Sequence, residues 1–386
     1  MSPSNWQRAG FGVYVHWPFC LAKCPYCDFN SHVSSNVDQT AWADAYQSEL
    51  DRLAEMTPDR IVSTVFFGGG TPSLMLPDTV SAVIEQIRKN WRCSNDIEIS
   101  LEANPTSVEA TRFNGFRDAG VNRISMGIQA LNDADLRLLG RRHSVDEAER
   151  AFDTARSIFD RVSFDLIYAR QNQTAKDWDA ELARALTMAA DHLSLYQLTI
   201  EDGTAFGDRF ARGGLRGLPS DDLSADLFEI TQDMTAAAGF HAYEVSNHAQ
   251  QGQESRHNLI YWRGGDYIGV GPGAHGRFDV NDQRLATETY LMPNKWLSTV
   301  RELGTGESKV EVLSREEQAL EYLLMSLRLA EGCDLERLNS LDEGAISDIK
   351  INSLGDLGHI RREGSRLIVP PQSKILLNSI LTELVS

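Results

Sequence analysis

Cysteine is scarce in this chain: five in 386 residues, an odd number. The start, Met-Ser-Pro-Ser-Asn-Trp-Gln-Arg, has no apolar h-region of a secretory signal. Together these exclude a disulfide framework and point to a reducing compartment, the cytoplasm. Long hydrophobic runs are also missing, so no segment has the length of a membrane span. Basic residues are outnumbered, 37 Lys and Arg against 55 Asp and Glu, for a net charge of −18. Such a chain lacks the basic footprint of a nucleic-acid binder and is repelled by anionic lipid. Any membrane contact is therefore peripheral and runs through partners. No internal repeat or low-complexity tract is present. What remains is a globular chain, 42% hydrophobic, long enough for one large domain and a smaller one.

Three of the five cysteines nevertheless stand in one short run, His16-Trp-Pro-Phe-Cys20-Leu-Ala-Lys-Cys24-Pro-Tyr-Cys27-Asp-Phe29. The C-x3-C-x2-C spacing follows an apolar strand-like stretch at 12–15. Three thiolates in one loop hold three irons of a [4Fe–4S] cluster and leave the fourth iron open to another ligand. Four cysteines would suit electron transfer instead. The alternative is half of a zinc site, which needs a fourth ligand. Cys93 and Cys333 stand alone far along the chain, so a histidine would have to complete it. A second motif, Val65-Phe-Phe-Gly68-Gly69-Gly70-Thr71-Pro72, runs from an apolar strand into three glycines. Glycines let backbone groups approach a ligand with no Cβ in the way.

Apolar strand-like segments alternate with helical patterns, the sign of a parallel sheet with crossover helices. Strands are expected at 12–15, 62–67, 97–102, 123–127, 162–167 and 192–198. Helices are expected at 40–55, 77–90, 108–119, 145–159 and 175–189. These six units predict an α/β fold, a partial (β/α)6 TIM-like barrel with ligands at the strands' C-terminal ends. Residues 204–220 read as a loop insertion, followed by a helix at 222–238 and a short strand at 242–245. An aromatic, glycine-rich stretch occupies 257–276, and 277–287 reads as a hairpin around Asn281-Asp282. Helices at 314–329 and 341–354, a hairpin over 358–369 and a last helix to 385 suggest a winged-helix-like domain. The expected division is 1–200 for the barrel core, 201–290 for an insertion completing it, and 291–386 for the C-terminal helical domain.

The cysteine loop and glycine run together resemble the signature of the radical S-adenosylmethionine (SAM) superfamily. In that family the open iron chelates SAM, whose reductive cleavage gives a 5′-deoxyadenosyl radical, and the glycine turn holds the SAM amino group. Three further segments end strands in polar groups: Ile99-Ser-Leu-Glu102, Arg123-Ile-Ser-Met-Gly-Ile-Gln129 and Phe164-Asp165. They form a polar ring above the barrel mouth, where carboxylates can accept from ribose hydroxyls and Arg141 can pair with a carboxylate. The ensemble resembles the oxygen-independent coproporphyrinogen III dehydrogenase family over nearly the whole chain. The resemblance implies SAM contacts from Tyr14, Tyr26, Gly69, Gly70, Thr71, Glu102, Gln129, Arg141, Asp165, Thr199 and His275, with Cys20, Cys24 and Cys27 on the cluster.

Two departures favour the haem-chaperone branch of that family. Phe29 replaces a further cysteine of the dehydrogenase, and only nineteen residues precede Cys20. The run His257-Asn-Leu-Ile-Tyr261-Trp262 matches an H-N-x-x-Y-W motif associated with haem. Imidazole is an apt axial ligand, and Tyr and Trp rings can cover a porphyrin face. Taken alone, a histidine beside aromatics is a hydrogen-bonded core residue; the resemblance turns the expectation towards His257, Tyr261 and Trp262 as haem contacts. Another segment departs from the family. Ala169-Arg170-Gln171-Asn172-Gln173 stands where relatives carry Gly-Leu-Pro-Gly-Gln, which changes the turn's allowed dihedrals. The leading expectation is a haem chaperone serving respiratory haem proteins. The alternatives are decarboxylation of coproporphyrinogen III propionates and another radical SAM reaction on a tetrapyrrole.

Overall fold

The computed structural model describes residues 4–386, apart from the side chains of 107 and 108. Six parallel strands form the centre: β1 (Phe11–Trp17), β2 (Ile61–Gly69), β3 (Arg92–Ala103), β4 (Arg123–Gln129), β5 (Arg161–Tyr168) and β6 (His192–Gln197). They pair side by side in chain order. Each crosses to the next through helix, as the alternating pattern predicts. Outside β1 lies β7 (Asp266–Val270), parallel to it, then β8 (His275–Val280), β9 (Gln283–Thr289) and β10 (Glu307–Val312), all antiparallel. Outside β6 lie Asn247–Ala249 and His241–Ala242. The result is one open twelve-stranded sheet, a partial barrel with extended edges.

Two-residue alternation along the central strands explains the layers. Val13, Val15, Val65, Phe67, Ile99, Leu101, Ile124, Met126, Phe164, Leu166, Leu193 and Leu195 are all buried beneath the helices. The intervening positions are mostly small or polar, Gly12, Tyr14, Thr64, Glu98, Ser100, Glu102, Arg123, Ser125, Ser163, Asp165 and Ser194, with Phe66 the apolar exception among them. One face of the sheet is thus an oily seat for helices and the other a polar lining. Several of the surrounding helices start on side-chain caps. Ser144 and Thr174 each close a reciprocal capping box, with Glu147 and Asp177, at Val145–Ile158 and Ala175–Met188.

Several short elements depart from the sequence expectations. The helix expected at 108–119 is two, Ser107–Ala110 and Phe113–Ala119, broken at Arg112. Its first turn is tied down by Glu109, buried against Ser73 and Asn104. The loop insertion contains a helix, Ala205–Ala211. The strand expected at 242–245 ends at Ala242, and its partner begins at Asn247. The aromatic stretch holds a helix, Arg256–Trp262, and β7. These elements are too short for a helical or strand period to emerge from composition. The hairpin around Asn281-Asp282 does form, with both residues at positive φ of 50° and 63°.

The hydrophobic clusters move the division between the two bodies. Trp296 and Val300, on helix Pro293–Leu303, are buried in the first core, and β10 belongs to the large sheet. The second core begins at Ala319. Residues 291–312 therefore complete the barrel side, whereas the sequence reading gave them to the C-terminal domain. Beyond them come Arg315–Ser326, Cys333–Asp334, Leu335–Leu341, Asp348–Asp356 and the hairpin Arg361–Glu363 with Arg366–Ile368. That order is winged-helix connectivity, closed by Leu377–Val385. The helix expected at 341–354 begins only at Asp348, and Leu335–Leu341 is a separate helix ending where it was expected to start.

Candidate functional site

The cysteine loop is clamped at both ends. Phe19–Cys20 pairs in parallel with His32–Val33. The glycine run lies directly on it: Gly70 N–H donates to the Trp17 carbonyl at 2.7 Å and Thr71 N–H to the Phe19 carbonyl at 2.9 Å. A Cβ on Gly70 would lie 2.8 Å from the Phe19 carbonyl oxygen, and one on Gly69 only 2.6 Å from the His16 ring. Gly69 also has φ of +112°. The glycines thus serve the chain's own close approach before any ligand's.

Each of the three sulfurs has a hydrogen-bond partner. Thr71 Oγ1 donates to Cys20 Sγ at 3.4 Å and Arg141 Nη1 to Cys24 Sγ at 3.5 Å. Cys27 Sγ lies 3.8 Å from Ser31 Oγ. Among the described residues no group of three metal-ligating side chains is already drawn together. The thiols do influence one another: burial first, then neighbouring thiolates, pushes Cys20 upward, and burial pushes Cys27 upward. The Arg141 guanidinium is fastened by Asn104 Oδ1 and the Gly127 carbonyl, both at 2.7 Å. Its Nε is buried without a partner. A cationic donor set around three thiols, with one donor to spare, fits an anionic iron–sulfur cluster. Tyr26 packs 6.4 Å from Phe206, and Phe206 N–H bonds the Pro25 carbonyl, so the unforeseen helix Ala205–Ala211 covers the cysteine loop.

Behind the loop lies a polar wall. Tyr14 hydroxyl donates to His16 Nδ1 at 2.9 Å, while His16 Nε2 donates to the Asn30 carbonyl at 2.9 Å. His16 is held neutral, its pKa lowered to about 4, chiefly by burial. Gly69 N–H donates to Glu102 Oε2 at 3.2 Å. Burial, then the charge of Asp165, pushes Glu102 up to about 8. Burial pushes Asp165 up to about 6, against a hydrogen bond from Ser194 and the charge of Arg123. Two carboxyls on β3 and β5, flanking β4 and both resisting ionisation, form a place for a cation or a hydroxyl-rich ligand.

Arg123 is a buried cation of the lining that sequence reasoning used only to mark a strand. It is 3% exposed inside the lining, with Nη2 on Ser163 Oγ at 2.9 Å and Nη1 on Ser100 Oγ at 3.4 Å. Its signal was the run of polar residues at every second position in strands otherwise apolar. Gln129 ends β4 at φ +77°, a left-handed conformation costly for a side chain and concentrated at functional sites. His275 is exposed at the start of β8, and its charge bears on His16, which places it near the mouth. Thr199 is exposed just beyond β6, bonded only to the Gln197 carbonyl at 3.4 Å.

The H-N-x-x-Y-W motif lies elsewhere. His257 is 1% exposed. One ring nitrogen meets Thr64 Oγ1 at 2.7 Å and the other Tyr261 hydroxyl at 2.6 Å. Burial, then Arg123, lowers its pKa to about 3. Tyr261 packs edge-on against Tyr267 at 4.5 Å, and the Arg328 guanidinium lies 4.8 Å over Trp262. The sequence reading offered these three residues as haem contacts. Here the imidazole has no free nitrogen, and its partners are core groups.

The Radical SAM superfamily model matches residues 14–185. A Heme chaperone HemW of Escherichia coli K12 is 38% identical over 80% of this chain and 82% of its own length. A Heme chaperone HemW of Mycobacterium tuberculosis is 34% identical over 97% and 95%. The chain belongs to the HemW family of radical SAM proteins. The same family likeness extends to a mitochondrial Radical S-adenosyl methionine domain-containing protein 1 of Danio rerio, 41% identical over 83% of this chain and 73% of that protein. Among solved structures, coproporphyrinogen III oxidase (HemN) of E. coli, a radical SAM enzyme, superposes with a TM-score of 0.81 at 23% identity over 97% and 90%. That match establishes the fold. Among the described residues no helix is long and apolar enough to cross a membrane.

Proposed function

We propose that this protein is a haem chaperone that binds haem and hands it to respiratory haem proteins in the cytoplasm. The observation that carries this reading is the similarity to HemW of M. tuberculosis over 97% of the chain. Phe29 supports it. It lies 60% exposed beside the cysteine loop, where the dehydrogenase would carry a further thiol. Cys20, Cys24 and Cys27 would hold a [4Fe–4S] cluster, and Arg141, Thr71 and Ser31 would stabilise its sulfurs. When bound, such a cluster would supply one-electron reducing chemistry to SAM. The chain's own part is to seat SAM: Gly69, Gly70 and Tyr14 at one end, with Glu102, Gln129 and Asp165 offering acceptors to its ammonium or ribose hydroxyls. The helix carrying Phe206 packs on Tyr26 and would steady the loop. His275 and Thr199, exposed at the rim, are further candidates for SAM contact.

Anaerobic titration of the reconstituted protein with haem, beside an assay with coproporphyrinogen III, tests the reading. We expect saturable haem binding, transfer to a haem-free acceptor protein and no protoporphyrinogen. Sustained decarboxylation would instead make the chain a coproporphyrinogen III dehydrogenase.

A further inference from the structure

The H-N-x-x-Y-W segment is built into the barrel floor. Glu98, 2% exposed on β3, accepts from His257 N–H at 3.2 Å, Arg256 N–H at 3.3 Å and Arg161 Nη1 at 2.5 Å. A strand carboxylate thus anchors the first turn of helix Arg256–Trp262 inside the sheet. His257 then fills space that β1 leaves open: a Cβ on Gly12 would lie 3.0 Å from its Cε1. Its ring stacks on Phe66 at 5.2 Å and 24°, and Phe66 stacks on Tyr14 at 6.4 Å and 22°. Tyr14 reaches His16, and His16 reaches the Asn30 carbonyl beside the cysteine loop. The three rings form a triangular cluster, His257 lying 6.5 Å from Tyr14 as well as against Phe66, that links the floor to the mouth.

We propose that His257 is a positioning residue for the cofactor site and not an axial ligand of haem. Its two hydroxyl partners, Thr64 and Tyr261, fix the ring; the ring packs against both Phe66 and Tyr14, and so holds Tyr14 against His16, whose own ring lies beside Gly69. Trp262 extends the same helix to the C-terminal domain through Arg328, whose Nη2 pairs with Glu244 at 3.3 Å. The motif therefore joins the floor, the mouth and the second body. An iron bond to His257 would require breaking one of two buried hydrogen bonds and opening the floor, leaving a hydroxyl without its partner.

This inference rests on the SAM-site reading above, and glutamine separates the two roles. Its amide can both donate and accept, so it can serve Thr64 and Tyr261, but it is a poor haem ligand. Three measurements apply to parent, His257→Gln and His257→Ala: melting of the cofactor-free chain, SAM affinity of the cluster-loaded chain, and the Soret band on haem titration. We expect His257→Ala to melt lower and to bind SAM at least tenfold more weakly. His257→Gln should recover most of both and keep the parent's Soret complex. A His257→Gln protein that melts and binds SAM like the parent but loses the Soret complex would overturn the proposal, as would undiminished SAM affinity in folded His257→Ala. Should the parent itself bind no haem, the chaperone reading fails while the melting and SAM measurements still decide the role of His257.

Discussion

Glu102 should make the cofactor-free protein lose stability as pH rises. In the folded chain its pKa is raised from 4.5 to about 8, by burial and by Asp165. Between those values the folded state binds more protons than the unfolded one, so unfolding becomes easier with increasing pH. Each pH unit crossed in that window is worth about 1.4 kcal/mol, so Glu102 alone removes at most about 3 kcal/mol between acid pH and pH 7. Asp165, raised from 3.8 to about 6, acts in the same direction at lower pH. Glu102→Gln abolishes the titration, while its amide oxygen can still accept the Gly69 N–H. Urea unfolding of the iron-free chain, parent against variant, should give similar midpoints near pH 4.5 and a widening advantage for the variant towards pH 8. A difference that does not change with pH would refute the reasoning. The cofactor side follows from the same sign. A cation docking at the mouth ionises Glu102, so SAM binding at pH 7 should release up to about one proton, read as a buffer-dependent binding enthalpy.

Three further outcomes are expected. Replacing Cys20, Cys24 or Cys27 by Ala should abolish the cluster on anaerobic reconstitution, measured as bound iron, whereas Cys93→Ala and Cys333→Ala should retain it. Gly69→Ala should destabilise even the cofactor-free chain by about 1–3 kcal/mol, because its Cβ meets the His16 ring at a positive φ; an unchanged midpoint of unfolding would contradict this. Ala169→Gly should stabilise the fold by several tenths of a kcal/mol to about 1 kcal/mol, since Ala169 sits at φ 58°, and a lowered midpoint would show that the strain there is small.

The last of these shows how far sequence carries. The family resemblance implies glycine at the positions of Ala169 and Asn172, and both residues here have positive φ, 58° and 59°. The turn takes a glycine-type conformation although neither residue is glycine. Tertiary contacts hold it: Arg170 bonds the Ile167 carbonyl and pairs with Asp135 at 2.9 Å and Glu181 at 2.5 Å. Local spacing alone determined the cysteine loop, the glycine run and the six central strands, because thiolate chelation and two-residue alternation are short-range requirements. Alternation could also have exposed the polar lining, including Arg123, since a charged residue in an apolar strand must face a common interior. Three things needed the folded chain. Helix Pro293–Leu303 and β10 join the barrel side because Trp296 finds its burial there, a partner far away in sequence. Helix Ala205–Ala211 caps the cysteine loop through Phe206, and seven residues carry too little periodicity to announce it. His257 is the sharpest case. A histidine among aromatics has the same sequence whether its imidazole faces a ligand or a core. Only the placement of Thr64, Tyr261 and Glu98 around it, from two strands and one helix, shows that both nitrogens are already engaged.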